Sequence, residues 1–351
     1  MDQFKTIEIT GKTFFEKGNC YGSNARHLIA LCINSYKEHF AKNSELSWEQ
    51  LRTYAMSFLP KINQEMPEIL EEARGIANGA QVPFEDIMVI NCRYEITRQP
   101  ESNECTTAAI LPTAGGGKTY LVKNWDYRAG IMDHIVILHI KEKDGPSILG
   151  LSEAGQMIRE GFNSHGVGLC NNGLTSVYDH SGSGIPVTFL RRKVLGCSSF
   201  ESAKELLISA QRSVSNNMLL VSADGYAVDI EANPLGCDTI ECTDGILTHA
   251  NHFVRTPHLN ATEKSPRDER LYQLLHKNHS HIDVPYIKQC VADHANIPKS
   301  ICSHPSDLSI PLENRGMTVA ALIIDFSDQC FHVCAGPPCA GKFQSIPLTP
   351  N

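Results

Sequence analysis

The 351-residue sequence predicts an α+β fold, and two observations carry that prediction. Apolar residues recur at helical spacing through the first hundred positions, as at Leu28, Leu31, Cys32 and Tyr36. Beyond residue 105 the chain breaks into short β-branched runs punctuated by Gly, Asn and Asp. Helices group with helices and strands with strands, which argues against a βαβ alternation.

Taken in order, the alternation Lys5-Thr6-Ile7-Glu8-Ile9 predicts a first strand. Gly18-Asn19-Cys20-Tyr21-Gly22 reads as a turn into a helix from about Ser23 to Phe40. Further helices are predicted over Trp48–Phe58, Ile62–Ala77 and Glu85–Ile96, the last two separated by Gly79 and Pro83. Strands follow at Ile135–Leu138, Gly166–Leu169, Met218–Val221, Ala227–Ile230 and Val319–Ile324. Two helical patterns, Val187–Leu195 and Ser199–Gln211, interrupt them, the second opening on Ser198 and Ser199 as cap candidates. The change of character near Cys105 marks a boundary between 1–104 and 105–351, with no internal repeat and no low-complexity linker.

A formal charge of −8 speaks against a general nucleic-acid or anionic-membrane binder. The basic triplet Arg191-Arg192-Lys193 is predicted to be solvated helix surface. No apolar stretch approaches the ~18 residues of a membrane span, and Met1-Asp2-Gln3-Phe4-Lys5 lacks a signal-peptide profile, so a cytoplasmic protein is expected. The ending Leu348-Thr349-Pro350-Asn351 is not a peroxisomal address. Thirteen cysteines without a secretion signal read as reduced and mostly buried. Cys330, Cys334 and Cys339 cluster without a CxxC pair, so no metal is expected. Gly115-Gly116-Gly117-Lys118-Thr119 lacks the leading glycine of a phosphate loop and runs into a strand.

The stretch with most chemistry is Asn103-Glu104-Cys105-Thr106-Thr107, followed by Ala108-Ala109-Ile110-Leu111, the glycine-rich turn and Tyr120-Leu121-Val122-Lys123-Asn124-Trp125-Asp126. It predicts a hairpin with a cysteine at its lip. That cysteine is either a reactive thiol or a small buried hydrophobe. Cys105-Thr106-Thr107 with Asn124-Trp125-Asp126 resembles the nucleophile region of the isopenicillin N acyltransferase family of self-cleaving N-terminal-nucleophile enzymes. The resemblance continues in order through Glu71–Ala80, Asn91-Cys92-Arg93-Tyr94-Glu95, Glu153-Ala154-Gly155, Gly161–Val167, Thr248-His249-Ala250-Asn251-His252 and Asn314-Arg315-Gly316-Met317-Thr318, spanning about Gly18 to Asp325.

The resemblance implies an αββα four-layer sandwich with a mainly helical leading segment. It also implies self-cleavage between Glu104 and Cys105, into a small chain and a catalytic chain that remain together as a heterodimer. A known member has glycine before the cysteine; Glu104 bears on the cleavage rate and not on the chemistry, because glycine eases a strained turn. Cys105 is then both nucleophile and, through its freed α-amine, base. The resemblance gives Asn251 as an oxyanion donor, while Asp126 is expected to hold the amine and Arg315 to bind a carboxylate or orient Asp126. Asn124, Trp125, Asn171 and Asn172 are expected to line the substrate pocket, the last two where a strand ending at Cys170 opens into a loop.

The expected reaction is hydrolysis or acyl exchange on a small N-acyl amide, without a cofactor. Acyl-CoA-dependent transfer to an amine is the alternative, with acyl-CoA as donor substrate. A non-cleaving binding protein of the same fold is the alternative of another class, and an unrelated thiol hydrolase pairing Cys105 with a histidine lacks a matching histidine-bearing signature.

Overall fold

A computed structural model describes residues 3–97, 105–179, 184–261 and 263–349. Glu104 lies outside the described residues. Strand β1 (Lys5–Ile9) precedes α1 (Phe14–Asn24), α2 (Arg26–Asn43), α3 (Trp48–Met56), α4 (Leu59–Glu65), α5 (Pro67–Ala80), α6 (Phe84–Asn91) and α7 (Arg93–Ile96). Six strands follow: β2 (Cys105–Ile110), β3 (Tyr120–Arg128), β4 (Ile135–Ile140), β5 (Ile148–Glu153), β6 (Glu160–Asn163) and β7 (Val167–Gly173). Next come α8 (Val187–Leu195), α9 (Phe200–Ser209), β8 (Asn216–Ser222), β9 (Tyr226–Asn233), β10 (Gly236–Glu241) and β11 (Ile246–His249). The chain closes with α10 (Arg267–His276), α11 (Val284–Val291), β12 (Gly316–Asp325), β13 (Cys330–Ala335) and β14 (Phe343–Pro347).

Two sheets form, in the orders β1-β4-β5-β6-β7-β8-β9-β10 and β11-β2-β3-β12-β13-β14. Pairing is antiparallel except at β1 with β4. Strand alternation gives each sheet two apolar faces, and three cores result. Ile29, Ile76, Leu138, Leu169, Leu190 and Leu220 pack α1–α9 on the larger sheet. Leu121, Leu149, Phe162, Leu219 and Leu322 fill the space between the sheets. Leu271, Leu275 and Ile287 of α10 and α11 cover Ile110, Val122 and Ile323 on the smaller sheet. The result is the αββα order of layers. The leading segment shares its core with the rest, because β1 is an edge strand of the larger sheet and its helices cover that sheet.

Local chemistry accounts for the boundaries. Thr13 and Glu16 form a capping box that starts α1, and Ser47 and Gln50 do the same for α3. The helix predicted over Ile62–Ala77 divides at Met66, which leaves the helical region (φ −142°, ψ 50°) just before Pro67, as a residue before proline is disfavoured from continuing a helix. Gly18-Asn19-Cys20-Tyr21-Gly22 is helix, not turn, and α1 breaks from α2 only at Ala25. Its glycines serve packing: a Cβ on Gly18 or Gly22 would lie 2.0 Å from Glu72 O or 2.2 Å from Ile76 O of α5. Gly75 and Gly79 reciprocate, at 2.1 Å from Phe15 O and 2.1 Å from Asn19 O. Sequence reading also missed α10 and α11, which are short and mostly polar on the outside. No helix among the described residues is long and apolar enough to cross a membrane.

Arg191 and Arg192 are buried, against the expectation of solvated surface, because α8 is wedged between α5 and β7. Arg192 Nε bonds both Glu72 carboxylate oxygens at 3.0 and 2.9 Å.

Gly75→Ala is expected to force α1 and α5 apart and to destabilise the fold by about 1–3 kcal/mol or more, the cost of overpacking a core. Thermal unfolding measures it; an unchanged melting temperature would mean the helices are not in backbone contact.

Candidate active site

Cys105 heads β2 opposite Trp125 of β3, and its side chain faces the space between the sheets. Only 4% of it is exposed. Its backbone N–H donates to Asn251 Oδ1 at 2.5 Å, and Asn251 Nδ2 donates to Gly173 O at 2.9 Å. Asn251 thus bridges the head of β2 and the end of β7. Burial pushes the Cys105 thiol above its ordinary range; Lys123 and the backbone N–H of Asp126 oppose this in part.

A narrow pocket at the thiol is lined by Arg93, Tyr94, Lys123, Trp125, Arg159, Asn171 and Gly173. Lys123 Nζ donates to Glu160 Oε1 at 2.5 Å and Asn171 O at 2.6 Å. Burial works against the Lys123 ammonium, yet Glu160 holds it above its ordinary value. Arg159 lies 4.1 Å from the Trp125 ring centroid, with Nη1 3.1 Å from Glu153 Oε1 and Nη2 2.7 Å from Tyr94 Oη. Arg93 Nη2 reaches the same phenol at 3.1 Å. Arg191 Nη1 donates to Asn171 Oδ1 at 2.7 Å. Four cations therefore face Glu153 and Glu160, with Glu95 pushed up by burial to about 7. Burial acts to raise the Tyr94 phenol, but Arg159, Arg93 and Arg191 bring it below its ordinary value. The pocket has an excess of positive charge.

The opposite face of β3 carries Asp126. Its Oδ1 accepts from Thr318 Oγ1 at 2.6 Å, and Thr318 Oγ1 accepts from Ser303 N at 2.9 Å. A β-bulge between Thr318 and Ala320 sets Thr318 opposite Asp126 while Ala320 opposes Trp125. Arg267 Nη2 of α10 stands 3.9 Å from Asp126 Oδ2.

Residues 113–339 match the family described as acyl-coenzyme A:6-aminopenicillanic acid acyl-transferase. The chain belongs to this family. It is 25% identical over 329 residues, covering 92% of this chain and 90% of the relative, to the acyl-coenzyme A:6-aminopenicillanic-acid-acyltransferase 40 kDa form of Emericella nidulans. Among solved structures, a conjugated bile acid hydrolase from Clostridium perfringens is similar at a TM-score of 0.49 and 13% identity, covering 70% of this chain and 99% of that one. The Caenorhabditis elegans N-acylethanolamine-hydrolyzing acid amidase ortholog gives 0.47 and 14%, covering 63% and 93%. Membership of the acyl-transferase family makes the chain an enzyme of acyl transfer or amide hydrolysis.

Of the residues singled out in sequence, this acyl-transferase fold brings Cys105, Asn251, Trp125 and Asn171 together at the pocket. Asp126 sits directly behind the thiol, its side chain on the helix-facing side of β3. Asn251 meets the Cys105 nitrogen through its oxygen, and its amide nitrogen is turned to Gly173. Arg315 is elsewhere: Nε and Nη2 donate to Ile310 O and Leu308 O at 2.7 and 2.5 Å, stapling its own loop. Arg267 is the arginine beside Asp126. Asn124 points away from the pocket, its Nδ2 bridging Val291 O and Ile301 O at 2.9 Å each, because it shares the parity of Asp126. Asn171 and Asn172 lie inside β7, not in a loop after it, and Asn172 Nδ2 bonds Thr107 Oγ1 and Asn217 Oδ1 at 2.9 Å each.

Sequence reading missed Arg93, Tyr94, Lys123 and Arg159 as pocket-lining groups, and Glu160 and Arg191 as the groups paired with Lys123 and Asn171. The signal for Lys123 was available: a lysine on the inward parity of an apolar strand must be paired.

The loop bearing Asn251 is held by a buried ion pair. His249 Nε2 lies 2.7 Å from Glu231 Oε1 and Nδ1 lies 2.7 Å from Ala250 O. The same carboxylate accepts from Val254 N at 2.5 Å and Arg255 N at 2.9 Å. Burial acts to lower His249, but Asp229 and Glu231 raise it to about 9. A raised folded value means the stabilisation is complete below the unfolded value near 6.5 and is lost as pH climbs through about 9. The melting-temperature difference between wild type and His249→Gln is therefore expected to be largest below about pH 6.5, to shrink as pH rises from there, and to be lost through about pH 9. A difference independent of pH would show that His249 is not charged in the folded chain.

Proposed function

We propose that this chain is a self-cleaving N-terminal-cysteine enzyme that carries the acyl group of a small, anionic N-acyl amide on Cys105. The observation that supports it most is the Cys105 nitrogen held on Asn251 Oδ1 at 2.5 Å, with the thiol opening into a cationic pocket. In the precursor the thiol adds to the Glu104 carbonyl, the amide passes to a thioester, and water releases the Glu104 carboxylate and the Cys105 α-amine. Residues 1–104 and 105–351 then stay together through β1 in the larger sheet and the helices packed on it.

In the cut enzyme, the α-amine, with an ordinary value near 7.7–8.0, takes the thiol proton. Asn251 Oδ1 keeps that amine in reach of the sulfur. The thiolate adds to the substrate carbonyl, and the amine proton passes to the leaving nitrogen as the carbon–nitrogen bond breaks. Water or a second amine then resolves the acyl-cysteine. Asp126, fixed by Thr318 and neighboured by Arg267, anchors the β3 backbone whose N–H faces the sulfur. The excess charge from Arg93, Lys123, Arg159 and Arg191 suits a carboxylate on the substrate. The similarity to the Emericella nidulans acyltransferase favours acyl-CoA as an alternative acyl donor.

Two measurements test this. Intact mass of wild type is expected to show two pieces, the larger starting at Cys105, while Cys105→Ala stays whole. A wild type that remains a single chain would leave the fold as a binding protein and remove the mechanism. On substrates, an N-acyl amide with a free carboxylate is expected to turn over faster than its methyl ester; equal kcat/KM would dismiss the role given to the cations. Asn251→Ala is expected to slow turnover by the loss of a buried hydrogen bond, about 1–3 kcal/mol, or roughly 5–150-fold.

A further inference from the structure

On the outer side of the smaller sheet, four metal-binding side chains converge from three loops. They are His294 after α11, Cys302 and His304 in the segment leading to β12, and Cys339 in the turn between β13 and β14. Their ligand atoms all lie within 4.8 Å of one another. Individual separations are 3.2 Å from His294 Nε2 to His304 Nε2, 3.5 Å from Cys302 Sγ to His304 Nε2, and 3.3 Å from Cys339 Sγ to His304 Nε2.

We propose that His294, Cys302, His304 and Cys339 form a structural zinc site. Tetrahedral zinc with bonds of about 2.3 Å to sulfur and about 2.0–2.1 Å to nitrogen places its nitrogen ligands about 3.3 Å apart and nitrogen and sulfur about 3.5 Å apart. The three separations from His304 Nε2, at 3.2, 3.5 and 3.3 Å, lie within about 0.2 Å of those values. Two thiols and two imidazoles are a donor set that suits zinc over the harder divalent cations. The surroundings also fit. The backbone N–H of Cys339 points at the Cys302 sulfur, an arrangement that steadies a thiolate ligand. His294, His304 and Cys339 are exposed and Cys302 is buried, so an ion has a route in from solvent.

Each ligand sits on a braced backbone. Asp293 is clamped by Arg270, Nε to Oδ1 at 3.0 Å and Nη2 to Oδ2 at 2.6 Å, and its carbonyl accepts from Cys302 N at 3.0 Å. Ser303, between the ligands Cys302 and His304, exchanges hydrogen bonds with Thr318, which in turn holds Asp126. The turn with Cys339 is tied to the bulge of β12 by Gly336 N donating to Val319 O at 2.9 Å. Zinc would close these loops into one unit behind Asp126. It would act as a clamp, with all four positions filled by protein and none open for chemistry. The cysteine trio visible in the sequence does not assemble: Cys339 joins the site, whereas Cys330 is placed beside His332 and Cys334 is buried on β13.

Elemental analysis of the full chain, purified without chelator, is expected to give about one zinc per chain. After chelation, reloading with Co2+ is expected to give the visible bands of tetrahedral cobalt together with a thiolate charge-transfer band, and the melting temperature is expected to fall without metal and recover with zinc. Cys339→Ser and His294→Ala, both at exposed turn positions, are expected to lose the metal, while Cys330→Ser keeps it. The proposal is overturned if wild type neither carries zinc nor takes up Co2+ in tetrahedral form. It is equally overturned if intact mass shows Cys302 and Cys339 joined as a disulfide in the freshly purified chain, or if Cys330→Ser loses the metal as completely as Cys339→Ser. The wild-type chelation and reloading decide the matter should the variants fold poorly.

Discussion

The two faces of β3 are the constraint on which the site depends. Side chains alternate along a strand, so Lys123 and Trp125 enter the space between the sheets with Cys105, while Asn124 and Asp126 enter the helix layer. Chemistry and support are thereby separated by one sheet thickness. The bulge in β12 adjusts the register locally, so that Thr318 meets Asp126 without moving the apolar residues that follow it in β12. A slip of one residue in β3 would exchange the two sets and put Lys123 among the apolar residues of α10 and α11.

Burial of so many charges beside Cys105 needs its own account. An isolated ion in this interior would cost several kcal/mol, and pairing returns that cost only with good geometry. Glu153 accepts from Tyr36 Oη at 2.7 Å and Arg159 Nη1 at 3.1 Å; burial pushes its carboxyl up, but Arg93 and Arg159 hold it below its ordinary value. Cations still outnumber carboxylates, and the lowered Tyr94 phenol registers the imbalance. In the reading proposed above, a substrate carboxylate would offset this excess of positive charge.

The sequence shows the helical leading segment, the strand-rich remainder and the hairpin around Cys105, because each has a local signature: helical period, β-branched runs, a glycine-rich turn. It does not show which arginine approaches Asp126. Arg315 immediately precedes β12 and is used by its own loop, while Arg267 arrives from a helix whose docking is a tertiary event. Arg191 and Arg192 looked like surface because charge on a helix usually is, and only the packing of α5 against α8 overrides that. The glycines of α1 were ambiguous in the same way, since the close approach that requires them is made by α5, more than fifty residues later. His294 and Cys339 stand apart in sequence from Cys302 and His304 for the same reason: three loops from separate elements supply the four.

The Asn251 loop and the Ser303 segment hold the surroundings of Cys105 from two sides. Asn251 is positioned by Glu231, which binds the side chain of His249 and the backbone of Val254 and Arg255, so one carboxylate fixes the loop on both sides of the asparagine. Ser303 is positioned through Thr318, and the convergent ligands flank it on both sides. Both segments are irregular, and irregular backbone is mobile unless side-chain bonds replace the missing ladder. One segment bears on the Cys105 nitrogen from the pocket side and the other on Asp126 from behind. In the mechanism proposed above, restraint from both directions would keep the Cys105 amine and the substrate carbonyl within reacting distance of the thiol, because small displacements at such a centre are costly in rate.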